Sequence, residues 1–286
     1  MTQPRVGFVG LGNMGTVLAA NLVASGFEVV TYDVARPARA PQGARFVPDL
    51  GDVAAESDVV VLSLPDGAAS EQVCRALAGA DTRRLSHVVD TSTIGVTAAR
   101  AVDGLLSAAG IGYVDAPVSG GVAGARARTL SVMVAGAAAA CAAVEPVLSG
   151  LSDRRHHVGD RPGMAQALKL ANNFLSATAL AATSEAVAFG VSVGLDMATM
   201  VDVLNASSGQ SAATSDKFVN HVLTDRYASG FANTLMAKDL RLYLNAVSDQ
   251  RTPSVVGDVT AALWERFADA EPGADFTRIY PFVEGS

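Results

Sequence analysis

The sequence is poor in the residues that build disulfide scaffolds, metal centres and nucleic-acid surfaces. Its two cysteines, Cys74 and Cys141, stand far apart with no CxxC or Cys/His cluster, so reduced, buried thiols are expected. The four histidines (His87, His156, His157 and His221) lack a spacing such as HExxH, and no metal site is expected. Charged residues make up only 17% of the chain, and the 28 acidic side chains outnumber the 21 basic ones. That balance leaves no broad basic surface for a phosphate backbone, so nucleic acid is excluded as a partner. The N-terminal "MTQP" runs straight into "RVGFVG" without a basic n-region or cleavage site, which places the protein in the cytoplasm as an expectation. A long uninterrupted apolar run is missing too. The most apolar longer segment, 174–195, is broken by Ser176, Thr183, Ser184 and Glu185, so it reads as a core helix and no membrane partner is expected.

What is present is a chain of 286 residues, half of them hydrophobic, enough for two ordinary domains with full cores. Up to about residue 160, the β-branched runs "RVGFVG", "FEVVTYD", "SDVVVLSLP", "SHVVDTS", "GYVDAPV" and "TLSVMVAG" alternate with alanine-rich helical stretches. That alternation predicts an α/β fold with a doubly wound, parallel Rossmann sheet over residues 1–161. Gly26 and Gly110 each close a helical stretch just before a strand. Beyond that point the strand signal fades. "GMAQALKLANNFLSATALAATSEAVAFGVSVG" reads as one helix of ~40 Å at ~1.5 Å per residue, and "DMATMVDVLNAS" and "MAKDLRLYLNAVSDQ" continue the helical pattern. A C-terminal all-α domain over 162–286, joined through the long helix, is the second expectation.

The opening glycines carry the first specific chemistry. Gly10, Leu11, Gly12, Asn13, Met14 and Gly15 follow an apolar strand directly and open a helix, and Asp33 ends the next strand. In that context a GxGxxG run is a dinucleotide site: Gly10 for the turn, Gly12 for backbone approach to a pyrophosphate, Gly15 for close packing, with the helix N-terminus facing the phosphates. Asp33 suits the ribose hydroxyls and repels a 2′-phosphate, so NAD is favoured, while Arg36 keeps NADP open.

Three further segments are ambiguous by themselves. Ser119, Gly120 and Gly121 follow a predicted strand at the edge where such folds bind ligands; the segment suits a carboxylate or is an ordinary turn. Lys169, Asn172 and Asn173 share one helix face, at i, i+3 and i+4, as a solvated charge with neighbours or as a proton carrier. Lys238 and Asp239 read as a surface ion pair, and Phe231 as a core phenylalanine or a substrate wall.

In order and spacing, "GFVGLGNMG", "DAPVSGGVAGA", "KLANN" and "MAKDL" resemble the signature blocks of the β-hydroxyacid dehydrogenase family, typified by 3-hydroxyisobutyrate dehydrogenase, over nearly the whole chain. The resemblance implies that Lys169 is the acid/base and that Asn173, with Asn172 beside it, orients the substrate. It further implies that Ser119, Gly120 and Gly121 hold the substrate carboxylate, that Leu64, Pro65 and Thr93 line the cofactor, that Lys238 reaches it, and that Asp239 supports the catalytic region. Two positions depart from the family pattern: Arg128 where "GTL" is common, and Ala165 where a second glycine is common. Arg128 near a substrate entrance would favour a more strongly anionic acid.

The chemistry explains the residue type. Oxidising an alcohol removes a hydride from carbon and a proton from oxygen, so a base must reach the hydroxyl. Neutral lysine serves, because burial and a nearby positive nicotinamide disfavour its ammonium while a substrate carboxylate opposes that shift. The expected activity is NAD-dependent oxidation of a small β-hydroxy acid to its semialdehyde, or the reverse, in a homodimer or homotetramer that covers the apolar helix. The rivals are an imine reductase of the same fold, which Lys169 disfavours, and a cofactor-bound sensor or scaffold without turnover. 6-Phosphogluconate dehydrogenase needs a larger helical domain than this chain supplies.

Overall fold

The computed structural model describes residues 3–35 and 39–285; Arg36, raised above in connection with NADP, lies outside them. The chain divides into two compact units, Met1–Lys169 and Leu170–Ser286.

Among the described residues, the first unit is built on nine strands: β1 (Val6–Val9), β2 (Val29–Tyr32), β3 (Arg45–Phe46), β4 (Val59–Leu62), β5 (His87–Asp90), β6 (Gly112–Asp115), β7 (Val118–Ser119), β8 (Ser131–Ala135) and β9 (Arg154–Gly159). They run in the order β3-β2-β1-β4-β5-β6-β8-β7, with β9 beside β8. The first six pair in parallel, and β8 meets β6 and β7 antiparallel. The order 3-2-1-4-5-6 is that of the dinucleotide-binding fold, with its switch point between β1 and β4. All four residues of β1 and of β4 are buried, because helices cover both faces of the sheet and no polar alternation is needed.

Helices α1 (Asn13–Ala24) and α6 (Ala138–Leu151) bury Leu18, Leu22, Val144, Val147 and Leu148 against Phe8, Val61, Val89 and Val114 on one face. Helices α2 (Leu50–Glu56), α3 (Gly67–Ala78) and α4 (Val96–Ala108) bury Val53, Val73, Leu77, Val102 and Leu106 against Val9, Val60, Leu62 and Val88 on the other. A short α5 (Gly121–Arg126) follows β7. Asp49 and Asp66 start α2 and α3 by accepting from Asp52 N and Ala69 N, each at 2.9 Å, the usual role of an aspartate N-cap. Gly26 and Gly110, at φ 86° and 73°, close α1 and α4 in the left-handed region, as expected of C-terminal glycines.

The expected long helix is α7 (Met164–Ser192), which begins in the first unit and continues into the second. By length and composition it could cross a membrane, and 39% of its most apolar window is buried within the protein. The second unit adds α8 (Met197–Asn205), a ten-residue π-type helix (Ala213–Val222), α9 (Asn233–Gln250), α10 (Val255–Ala270), a 3₁₀ turn (Phe276–Arg278) and α11 (Ile279–Glu284). Its core gathers Ala177, Leu180 and Val187 of α7 with Val201, Phe218, Leu240, Trp264, Phe267 and Phe276. The Trp264 indole N–H donates to the Ala177 carbonyl at 3.3 Å, so its one polar atom is paired inside that apolar setting.

Candidate active site

The glycine-rich turn has the shape its sequence requires. Gly10 sits at φ 98°, and a Cβ there would meet the Ser63 carbonyl; a Cβ on Gly15 would meet the Gly10 carbonyl. Gly12 differs, with nothing within 4 Å of a Cβ position, so a ligand can approach its backbone. Gly12 is also the N-cap of α1, which has no side-chain cap, and the first-turn amides from Asn13 and Met14 onward stay free for an anion. Asp33 Oδ2 accepts from Leu11 N at 2.6 Å and Oδ1 from Ala35 N at 2.9 Å. One acceptor position on each oxygen is thereby used and a second is left for hydroxyls. Arg39 donates to Asn13 Oδ1 at 3.1 Å, setting a guanidinium at the rim of the same turn. An open glycine, an uncapped helix and a carboxylate at the end of β2 fit a nicotinamide dinucleotide.

The loops after β4 and β5 meet at Ser92. Its hydroxyl accepts from Leu64 N at 2.8 Å, its N–H donates to Asp90 Oδ1 at 2.9 Å, and its carbonyl accepts from Gln166 Nε2 at 3.0 Å. Leu64, Pro65 and Thr93 thus stand on two loops that share one hydrogen-bonded hub. Asp90 is fully buried, and burial pushes its carboxyl above the ordinary value. Asp115, at the end of β6, is also fully buried and is pushed up to about 6, chiefly by burial, with the Asp90 charge adding to it and donors from Gln166 and Gly163 opposing it.

Past Asp115 the chain reaches Ser119, half-buried at the end of β7 and paired in register with Ser131. Gly120 (φ 130°) and Gly121 (φ 65°) follow in conformations that favour glycine. This is the segment expected to hold a carboxylate.

Lys169 lies on the second turn of α7 and is 8% exposed, far from the solvated charge that its alanine-rich surroundings alone would suggest. Asn173, one turn on, is also buried. Within the second unit Asn173 Nδ2 donates to Asp239 Oδ2 at 2.6 Å, Asn172 Nδ2 donates to Asn173 Oδ1 at 3.1 Å, and Lys238 Nζ lies 3.1 Å from Asp239 Oδ1. Asp239 is 2% exposed. Of the pair read from sequence as a surface ion pair, Asp239 is therefore buried and holds the Asn173 carboxamide, while Lys238 stays partly exposed. Phe231 packs edge-on against Phe276, ring centres 5.7 Å apart, at the border of the second core.

Four residues of this polar network went unassigned in the sequence: Asp90, Ser92, Asp115 and Gln166. Asp115 lay inside a quoted motif, but nothing in its neighbours announces partners on α7. The departures from the family pattern are absorbed locally. Ala165 is fully buried against Met133 and Ala135. Arg128 adopts φ 57° and spends its guanidinium on Ser25 Oγ (2.8 Å) and the Ser149 carbonyl (2.9 Å), bracing α1 and α6; that engagement replaces the role at a substrate entrance. Cys74 and Cys141 are free thiols, and burial raises both above the ordinary value. Among the described residues no group of three His, Cys, Asp or Glu side chains could hold a metal ion.

The chain is similar to known proteins over nearly its whole length. Residues 5–159 match the family described as the NAD binding domain of 6-phosphogluconate dehydrogenase, and residues 163–283 match that described as the NAD-binding of NADP-dependent 3-hydroxyisobutyrate dehydrogenase. The chain is 35% identical over 266 residues to 2-(hydroxymethyl)glutarate dehydrogenase of Eubacterium barkeri, covering 91% of this chain and 88% of that one. It is 35% identical over 298 residues to 3-hydroxyisobutyrate dehydrogenase of Pseudomonas aeruginosa, covering 98% of each. A solved structure of Mycobacterium tuberculosis 3-hydroxyisobutyrate dehydrogenase with L-serine superposes with a TM-score of 0.91 at 31% identity, covering 99% of both chains. The chain belongs to the β-hydroxyacid dehydrogenase family, and it is an NAD(P)-dependent oxidoreductase of small hydroxy acids.

Proposed function

We propose that the protein interconverts a β-hydroxy acid and its semialdehyde, with Lys169 as the proton carrier. The carrying observation is that Lys169 is withdrawn from solvent on the same helix as Asn173, whose carboxamide is fixed by buried Asp239. A nicotinamide dinucleotide held by the glycine-rich turn and Asp33 would supply the hydride acceptor or donor. In the oxidising direction Lys169, as the free amine, takes the hydroxyl proton; in the reverse direction its ammonium returns a proton to the forming alkoxide. Asn173 keeps one Nδ2 hydrogen beyond the bond to Asp239, enough for a directional bond to the substrate hydroxyl or carboxylate. Ser119 and the amides of Gly120 and Gly121 receive the carboxylate, which leaves the reacting carbon as the variable end. A lysine at this position disfavours imine reduction, and a buried acid/base disfavours a scaffold without turnover.

NAD is the preferred cofactor, since the Asp33 carboxylate repels a 2′-phosphate, while Arg39 beside Asn13 supplies a cation that supports residual use of NADP. Exposed Leu175 and Phe189 of α7, Val193 just after it, and Val255, Val256 and Val259 of α10 support a homodimer or homotetramer, which light scattering on the purified protein measures. A cytoplasmic location is supported by the two free thiols.

The test is reduction of NAD⁺ and NADP⁺ with β-hydroxy acids bearing one carboxylate, such as 3-hydroxyisobutyrate, and two, such as 2-(hydroxymethyl)glutarate, using wild type and Lys169→Ala. Turnover of at least one acid, with a higher kcat/KM for NAD⁺ and loss of activity in the variant, is expected. Absence of turnover across the panel would remove the proposal. Arg39→Ala should lower kcat/KM for NADP⁺ more than for NAD⁺; equal effects would discount Arg39 as a cofactor contact.

A further inference from the structure

We infer that Gln166 is a positioning residue of the reaction, a clamp that ties the loops after β4 and β5 to the first turn of α7, just ahead of Lys169. This rests on the reading of Lys169 as proton carrier and of the Leu64, Pro65 and Thr93 loops as cofactor contacts.

Gln166 is fully buried. Its Nε2 donates to the Ser92 carbonyl at 3.0 Å and to Asp115 Oδ1 at 2.7 Å, and its Oε1 accepts from Ile94 N at 2.9 Å and Gly95 N at 3.1 Å. Both donors and both acceptor positions of the carboxamide are therefore used. The same turn is held a second time, because Gly163 N and Gln166 N donate to Asp115 Oδ2 at 2.9 and 3.1 Å. Those amides are among the first N–H groups of α7, which have no partner within the helix, and an acid from β6 satisfies them where a local cap residue ordinarily would. Ser92 passes the connection on to Leu64. Lys169 lies three residues after Gln166 and on the same helix face, so the clamp fixes the loops and the lysine stem in one frame.

Only glutamine meets this demand. Glutamate offers no donor to the Ser92 carbonyl or to Asp115, methionine fills the volume without bonding, and asparagine is one methylene short. Loss of the clamp leaves Ile94 N, Gly95 N and the Ser92 carbonyl unpaired in the interior, and frees the two loops to shift against Lys169. A displacement of about 1 Å between reacting groups costs on the order of 10²-fold in rate, whereas dinucleotide affinity rests largely on the glycine-rich turn and Asp33, which the clamp does not touch.

The experiment compares wild type, Gln166→Met, Gln166→Glu, Lys169→Ala and the exchange Asp115→Asn/Gln166→Glu. The exchange keeps one carboxylate in the pair but reverses which residue donates. For each protein the measurements are melting temperature, NAD⁺ affinity by titration, kcat per folded enzyme, and the primary deuterium isotope effect with substrate labelled at the reacting carbon. Both single Gln166 variants should bind NAD⁺ within about threefold of wild type and lose about tenfold or more in kcat, with a larger isotope effect as hydride transfer becomes limiting. The exchange should recover part of what Gln166→Glu loses. Variants that melt earlier yet keep kcat within about twofold of wild type would overturn the inference, as would failure of both single variants to fold, because Gln166 would then serve the fold alone. An active Lys169→Ala would overturn the acid/base reading on which the clamp rests; an inactive Lys169→Ala beside fully active Gln166 variants would overturn the clamp alone.

Discussion

Asn173 has its orientation set by a side chain 66 positions away, since its Nδ2 donates to Asp239 Oδ2 at 2.6 Å. Asp239→Ala removes that acceptor and leaves Asn173 Nδ2 without its anchor, with the Asn172 bond to Oδ1 still in place. The expected outcome is a fall in kcat/KM for the hydroxy acid of about 10- to 100-fold with NAD⁺ affinity preserved, measured by steady-state kinetics and cofactor titration; unchanged kcat/KM would show that Asn173 needs no such support. Arg128 makes the opposite case. Replacing it by glycine relieves a left-handed conformation worth about 1–2 kcal/mol and loses two hydrogen bonds worth about 1 kcal/mol each, so thermal stability should change little. The relative kcat/KM values for acids of different charge should not change at all, and a changed ratio would return Arg128 to the substrate entrance. Lys169, Asn173 and Asp239 could be singled out as candidates because they stand in compact motifs. Gln166 was not, because a lone glutamine in an apolar helical turn gives no sign that its four partners lie between Ser92 and Asp115.

Among the elements, β1, β2, β4, β5, β6 and β8 were legible from their β-branched runs, and α7 from its unbroken helical pattern. The strands the pattern missed are β3 and β7, two residues each, and β9, whose "RRHHVG" carries charge and histidine because it pairs with β8 and is mostly exposed or half-buried. Burial, which writes the apolar signal into a strand, hardly acts there. The π-type helix at Ala213–Val222 was equally illegible: a wider turn shifts the periodicity away from the one a helical reading searches for. The glycine-rich turn allows a test that separates folding from binding. Gly12→Ala places a methyl in open space, so the cofactor-free protein should melt within about 2 °C of wild type while NAD⁺ affinity falls. Gly15→Ala drives a methyl into the Gly10 carbonyl and should cost about 1–3 kcal/mol of stability as well as binding. Calorimetry with and without NAD⁺ distinguishes them; equal melting temperatures for both variants would contradict the assigned roles.

At the scale of the whole molecule, two buried acids give the protein an uncommon dependence on pH. Asp115 is pushed up to about 6 by burial, so the folded state holds its proton more tightly than the unfolded chain does. The stability that Asp115 contributes is fully present below its unfolded value near 3.8 and is lost as pH rises through about 6. Relative to Asp115→Asn, the unfolding free energy of wild type should decline between pH 4 and 7 by on the order of 3 kcal/mol, at about 1.4 kcal/mol per unit, as measured by urea titration; a flat difference would contradict it.

Whether Lys169 carries the proton is decided by kcat/KM of Lys169→Ala for its best hydroxy acid, with and without added primary amines. A loss of about 10²- to 10⁴-fold with NAD⁺ affinity retained is expected, with partial recovery that grows with the concentration of the neutral amine. Full activity in the variant, or a loss that no amine reverses while NAD⁺ binding is also gone, would contradict it.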